Sequence, residues 1–257
     1  MNRVLLLHKE VKLIAYYNKT LFEKLDKKVK RAIKMLKMYE PPYGYYFGNS
    51  GGKDSVVVRD LLFKSGVKFD SHHNLTTVGP PEQIYFIREN HPETEIDKPE
   101  KTMWQLIIEN GTPPTRLMRY CCRVLKERGG EHRFKVLGIR ANESGARQKN
   151  RDELEVCSME GTRTLNPIYN WTKNEVWEYI VKNNLNYCKL YDKGYKRLGC
   201  IGCPYKGKRR LKDFKRYPIY YQNYLKTFQR MLDRRQRKGL QTSWDSPDDV
   251  MEWWLEQ

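Results

Sequence analysis

Tyr43-Gly-Tyr-Tyr-Phe-Gly-Asn-Ser50-Gly-Gly-Lys-Asp-Ser55-Val-Val-Val-Arg-Asp-Leu-Leu-Phe-Lys64 contains the signal that decides the fold. Tyr43 to Phe47 predicts a short buried strand, and Val56 to Lys64 predicts a helix packed on a sheet. Between them lies Ser50-Gly51-Gly52-Lys53-Asp54-Ser55. A strand, a glycine-rich turn and a helix in that order form the nucleotide-binding unit of an α/β protein. Successive glycines let backbone approach an anion, because no Cβ intervenes and positive φ is cheap. The first N–H groups of the following helix add donors at the positive end of its dipole. Lys53 supplies a mobile charge, and Ser50 and Ser55 supply hydroxyls. Asp54 repels phosphate, so its expected role is to cap the helix or to help hold Mg²⁺. The loop is not a Walker A motif, which requires G-x-x-x-x-G-K-[ST].

Outward from this unit, apolar residues recur at helical spacing from Val11 to Tyr39, and Pro41-Pro42 ends them. Downstream, strands are expected at Phe69 to Leu75 and Phe134 to Ile139. Helices are expected at Glu82 to Asn90, Thr102 to Asn110 and Trp171 to Asn183. The last has a Thr172 cap and Glu175 at its third position. The tail beyond Arg216 reads as helical, with a final helix starting at Ser246-Pro247. The expected organisation is a helical flank over 1–40, an α/β domain over 41–215 that includes the paired cysteines, and a basic helical extension over 216–257.

The 257 residues suffice for a buried core, and a 39% hydrophobic content excludes a disordered or fibrous chain. No apolar run reaches the roughly 20 residues of a membrane helix. The opening Val-Leu-Leu-Leu is cut short by His8, Lys9 and Glu10, so the expected location is the cytoplasm, with no membrane partner. The formal charge of +18 fits either a solvated basic surface or a nucleic-acid substrate with interleaved Tyr and Trp as stacking platforms. The six cysteines are unevenly placed: Cys121-Cys122 adjacent, Cys200 and Cys203 as C-x-x-C, Cys157 and Cys188 alone. In a reducing compartment such clusters serve as metal ligands or redox centres. The lone two read as small buried hydrophobes. His72 and His73 face opposite ways on a strand and read as core or surface residues.

Ser50 to Ser55 resembles the PP-loop of adenine-nucleotide α-hydrolases, whose members cleave ATP between the α and β phosphates. From Tyr43 to Pro204 the chain is similar to the phosphoadenosine phosphosulfate (PAPS) reductase family. The resemblance is carried by the loop, by Gly138-Ile-Arg-Ala-Asn-Glu-Ser144 with Arg147, by Asn166-Pro-Ile-Tyr-Asn-Trp-Thr172, and by Leu190-Tyr-Asp-Lys-Gly-Tyr-Lys-Arg-Leu-Gly-Cys-Ile-Gly-Cys203. It implies a Rossmann-like, mainly parallel sheet with helices on both faces. Arg140 and Arg147 suit bidentate contact with phosphate or sulfate oxygens, Gly138 lies at a strand's carboxyl end, and Thr76 and Thr77 suit the lining of a nucleotide pocket. The four paired cysteines match the ligand pattern of [4Fe-4S] members of the family. A tetrahedral Cys₄ zinc site and a redox dithiol are the physical alternatives. Because adjacent side chains point apart, either metal requires a kink or helix end at Cys121-Cys122.

Two departures from the family's sulfonucleotide reductases bear on the reaction. Those enzymes carry a loop without the Lys-Asp pair, and they use a nucleophilic cysteine beyond the C-x-x-C; here no cysteine follows Cys203. The expected reaction is therefore ATP cleavage to AMP and pyrophosphate, with Lys53, Asp54, Arg140 and Arg147 in catalytic roles and Mg²⁺ as cofactor. The adenylated product then supports sulfur transfer, with nucleic acid as a candidate acceptor, similar to the enzymes of DNA phosphorothioation and tRNA thiolation. A sulfur donor protein such as a cysteine desulfurase is an implied partner, and self-association stays open. The alternatives are adenylyl-sulfate or PAPS reduction to sulfite, and a non-catalytic iron–sulfur module that binds nucleic acid.

Overall fold

The computed structural model describes residues 24–157 and 162–257. A helix covers 24–38 (α1), and the part of the N-terminal expectation from Val11 to Glu23 lies outside the described residues. Strand β1 (Tyr45–Gly48) leads through the glycine loop into α2 (Lys53–Ser65), followed by β2 (Phe69–Asn74), α3 (Pro81–Asn90), β3 (Thr94–Asp97) and α4 (Met103–Asn110). Next come β4 (Phe134–Val136), α5 (Gly145–Asn150), β5 (Leu154–Cys157), β6 (Thr162–Leu165) and α6 (Lys173–Lys182). Three helices close the chain: α7 (Arg210–Arg216), α8 (Pro218–Arg237) and α9 (Pro247–Glu256). The six strands form one sheet in the order β3-β2-β1-β4-β6-β5. Pairing is parallel between β1 and β4 and between β4 and β6, and antiparallel between β5 and β6. This is the expected α/β, mostly parallel architecture. Among the described residues no helix is long and apolar enough to cross a membrane.

The chain divides into two compact units, at limits different from the three parts drawn from sequence. One comprises the described residues of Met1–Asn49, Lys53–Ser71 and His132–Tyr187; the other comprises Ser50–Gly52, His72–Glu131 and Cys188–Gln257. In the first, β1 contributes Tyr45 and Phe47, both fully buried, and α2 contributes Val57, Val58, Leu61 and Leu62. Leu25, Ala32 and Leu36 of α1 belong to the same core, so the described part of the N-terminal flank is integral to the unit. Phe47 meets Phe69 edge-on, with centroids 6.2 Å apart, a favourable aromatic geometry. Helix α6 starts with a full capping box: Thr172 Oγ1 accepts from the Glu175 N–H, and the Glu175 carboxylate accepts from the Thr172 N–H.

The second unit folds α4, α8 and α9 around the C-x-x-C turn. Tyr224 donates to the Ile201 carbonyl at 3.0 Å, and the Trp254 indole N–H donates to Pro114 O at 2.6 Å. Arg210 is 1% exposed, yet its guanidinium donates to the Trp254 and Leu255 carbonyls at 2.7 and 2.8 Å. Those are orphan acceptors of the last turn of α9, at the negative end of its dipole, which accounts for a buried cation there. Gly202 has φ +76°, and a Cβ on it would lie 2.9 Å from Phe214, 3.0 Å from Trp254 and 3.1 Å from Tyr224. Ring atoms wedged in a core cannot retreat as a flexible side-chain end can.

Replacing Phe47 by Ala should lower stability by about 3–5 kcal/mol, the usual range for emptying a buried phenylalanine site. Gly202→Ala should lower it by about 1–3 kcal/mol through overpacking. Denaturant unfolding of each purified variant measures both; an unchanged midpoint would contradict the packing described.

Candidate functional site

The loop after β1 is made tight by its glycines. Gly51 has φ +66°, and a Cβ on it would sit 2.8 Å from Ile87 Cδ1. Two constraints thus converge on one residue: left-handed backbone, and a side chain of α3 in the space a Cβ would take. The Gln83 side-chain amide, also on α3, donates to the Ser50 carbonyl, and the Gly52 N–H reaches Ser50 Oγ at 3.4 Å. Gln83 is an anchor of the loop that the sequence reading missed, because nothing in its spacing marks it.

Helix α2 begins at Lys53, whose side chain is 3% exposed and whose ammonium lies 2.5 Å from Asp54 Oδ2. The other oxygen, Asp54 Oδ1, accepts from Arg140 Nε at 2.6 Å. Asp54 is therefore bracketed by two buried cations in the first turn of a helix, where the dipole favours a carboxylate. The group of three carries one net positive charge beside the glycine turn. In a low-dielectric setting that excess cation favours an incoming anion. Gly138 allows the chain beyond β4 to pass close: a Cβ there would lie 3.0 Å from the Asp54 carbonyl carbon, which is backbone and cannot yield. Arg140 Nη1 reaches the Trp171 carbonyl at 3.5 Å.

Arg147 is engaged by Glu143, one turn earlier, whose side chain is 7% exposed; Arg140 Nη2 lies 3.9 Å from the same carboxylate. Glu143 thus joins the two arginines. Among the expected nucleotide-binding residues, Lys53, Asp54, Gly138, Arg140 and Arg147 are gathered in this way. Thr76 and Thr77 are turned to other partners. Thr77, at φ 62°, has its Oγ1 accepting from the Met103 N–H at 2.9 Å and so satisfies an orphan donor of α4. Thr76 Oγ1 accepts from the Cys200 thiol at 3.5 Å.

All four paired cysteines line one small cavity, together with Thr76, Tyr224 and Trp254. Cys121 lies in helical backbone immediately before a π-helical turn, Cys122–Lys126, so the vicinal pair occupies the helix end that the sequence reading required. The second pair lies on a turn closed by Cys203 N–H donating to Cys200 O at 3.3 Å, and Pro204 starts the following 3₁₀ turn. The hydrogen bond from Cys121, with help from Arg119, holds the Cys122 thiol down to about 6. The same bond, together with burial, pushes Cys121 up, and burial pushes Cys203 up. A single zinc ion would hold its sulfurs roughly 3.8 Å apart, given Zn–S distances of about 2.3 Å and tetrahedral angles. Among the described residues, the one set of three or more ligand atoms within 4.8 Å of one another is His72, Glu95 and Asp97. The four thiols line one cavity as candidate metal ligands, with Cys121 and Cys122 in hydrogen-bond contact. His72 Nδ1 lies 3.1 Å from Asp97 Oδ2, whereas His73 is buried. Cys188 is buried, as a small apolar residue would be.

Comparison with known proteins places the chain in a family. The phosphoadenosine phosphosulfate reductase domain matches residues 45–206. An uncharacterized protein of Methanocaldococcus jannaschii is 31% identical over 201 residues, 73% of this chain but only 48% of that protein. The adenosine 5'-phosphosulfate reductase of Oceanobacillus iheyensis is 30% identical over 199 residues, covering 69% of this chain and 79% of that enzyme. Among solved structures, the PAPS reductase of Candida auris in its phosphate complex superposes with a TM-score of 0.52 at 21% identity, over 69% of this chain and 94% of that one. The FMN adenylyltransferase of Candida glabrata, with FAD and pyrophosphate, gives 0.50 at 16% identity over 70% and 63%. With its glycine loop, its bracketed carboxylate and its four gathered thiols inside or beside the matched span, the chain belongs to the phosphoadenosine phosphosulfate reductase domain family.

Proposed function

We propose that this protein binds ATP at Ser50–Ser55, splits it to AMP and pyrophosphate, and couples the adenylation to sulfur transfer. The observation that supports this reading is the Asp54 carboxylate between Lys53 and Arg140. A sulfonucleotide has no pyrophosphate leaving group to neutralise. A triphosphate has one, and an anion-binding loop that includes a carboxylate suits a nucleotide carried with Mg²⁺. Backbone N–H groups of the loop and the start of α2 would hold the β and γ phosphates. The Arg140 guanidinium would meet the α-phosphate oxygens, where charge develops as the acceptor oxygen attacks phosphorus. The Pα–O bond to the β phosphate breaks, pyrophosphate leaves with the electron pair, and Lys53 neutralises part of its charge. Asp54 keeps both cations oriented before the nucleotide arrives, so little reorganisation accompanies the reaction.

Cys121, Cys122, Cys200 and Cys203 would hold a [4Fe-4S] cluster, which supplies a site for binding or relaying sulfur. The hydrogen bond from Cys121, helped by that from Arg119, favours the anionic, ligating form of the Cys122 sulfur. The +18 charge supports a nucleic-acid acceptor. A second reading is favoured by the relatives: the Oceanobacillus enzyme and others at similar identity are named as adenosine 5'-phosphosulfate reductases, so reduction of a sulfonucleotide to sulfite is the competing activity.

Anaerobically purified protein incubated with α-labelled ATP and Mg²⁺ should release AMP and pyrophosphate. Sulfite release from a sulfonucleotide with a dithiol reductant, and no ATP turnover, would establish the reductase instead. Lys53→Ala should weaken nucleotide binding by roughly 10- to 100-fold, the worth of a charge-assisted contact of about 1.5–3 kcal/mol; titration calorimetry measures it, and unchanged affinity would remove the loop assignment. Cys200→Ala should lose both iron and visible absorbance in the anaerobic preparation, whereas retention of iron at full stoichiometry would count against a four-cysteine cluster.

A further inference from the structure

Two segments border the thiols on the solvent side of the second unit, and they are fastened to each other. Tyr205 donates its hydroxyl to the Arg116 carbonyl at 3.1 Å, and Arg116 Nε donates to the Pro204 carbonyl at 3.3 Å. The Arg119 guanidinium lies 5.2 Å from the Tyr205 ring centroid. The ring itself is 54% exposed, and the neighbouring Leu117 is 95% exposed. Arg123, Lys208 and Arg209 are exposed cations of the same two segments. The carboxylates nearby are few in effect: Glu127 sits 3.6 Å from Arg119, and Asp213 is buried and bonded to Lys206 at 2.6 Å. Among the described residues, Arg123, Lys208 and Arg209 make no ion pair.

An exposed ring braced by a guanidinium, among cations without counter-charges, has a specific use. The ring offers a face on which a base can stack, and the cations meet phosphates along a strand. An acidic protein surface would satisfy the charges but would leave the ring and Leu117 without a matching planar partner. A duplex would satisfy the phosphates but hide its base faces. We infer that residues 116–123 and 204–209 form a binding surface for single-stranded nucleic acid, with Tyr205 as its stacking platform. Arg119 connects this surface to the cysteines, since it bonds Cys122 while lying over Tyr205. The bound strand thereby runs beside the thiols. The purpose of that placement rests on the sulfur-transfer reading above; the surface itself stands on charge and ring geometry.

The test is fluorescence anisotropy of a labelled mixed-sequence single-stranded 12-mer with the full chain, anaerobic and without ATP, over a series of salt concentrations. Wild type should bind with an affinity that falls steeply as salt rises. Tyr205→Ala should weaken binding by about tenfold, the worth of one base–aromatic stack. The double variant Arg123→Ala, Lys208→Ala should lower the slope of log affinity against log salt by about 1.4, roughly 0.7 for each cation removed. Lys34→Ala, Lys37→Ala, which removes two exposed charges from α1, should bind as wild type does. Circular dichroism and iron content confirm that each variant is folded, and the double variant carries the test if Tyr205→Ala is not. Absence of binding by wild type, full binding by the surface variants, or equal competition by poly-glutamate would overturn the assignment, the last by marking the face as one for acidic proteins. ATP cleavage assayed on the same preparations separates the two proposals: intact cleavage with no strand binding removes the surface alone.

Discussion

Asp54 holds two buried cations, Lys53 and Arg140, one on each of its two oxygens. Lys53 follows the glycine turn directly, and Arg140 arrives from the chain beyond β4, so this one carboxylate ties the opening of α2 to a distant segment. Removing one partner of such a buried set leaves an uncompensated charge, which is costly in a low dielectric. The close approach of Gly138 to the Asp54 backbone exists to make that link, and Glu143 extends it to Arg147. A surface lysine in the same loop would offer its charge to any anion. A lysine held by Asp54 is placed before any ligand comes.

The two classes of signal differed in how much they revealed. The strand–loop–helix unit was legible because its pattern is local: β-prone aromatics, two glycines and a valine run name their own conformations. The caps at Thr172 and Ser246 were legible for the same reason, being three-residue devices. Strands β3, β5 and β6 were not, since four residues such as Thr94–Asp97 contain no period and become strands only beside a neighbour. The predicted strand at Phe134 to Ile139 ends at Val136, where Gly138 and Arg140 leave the sheet for the loop. Gln83, Glu143 and the roles of Thr76 and Thr77 were hidden because each is defined by a partner remote in sequence. The gathering of the four thiols was expected from a resemblance, not from spacing alone. The proteins compared support the family and leave the individual residues to geometry.

In the second unit, the helices beyond Arg216 are structural parts of the thiol site and not an appendage. Tyr224 of α8 and Trp254 of α9 line the cavity, and Arg210 binds the end of α9 to the segment that follows the C-x-x-C. The sequence reading expected only a basic helical extension over 216–257. The structure assigns several of its large side chains to the core, while Lys226, Arg230, Arg237 and Lys238 stay exposed on it, as do cations on 116–123 and 204–209.

The π-helical turn after Cys121 has a consequence for how such sites diverge. Its closing bond runs from the Glu127 N–H to the Cys122 carbonyl at 2.9 Å, one residue wider than an α-helical turn. Each residue of an α-helix advances about 100° around the axis. A kindred sequence shortened by a single position between Cys122 and Lys126 would rewind to regular geometry and swing everything on one side of the deletion by that angle relative to the other. The neighbouring sulfurs would then aim elsewhere, although every cysteine remained in the alignment. Counting cysteines in such a sequence would report a complete ligand set where the geometry had been lost.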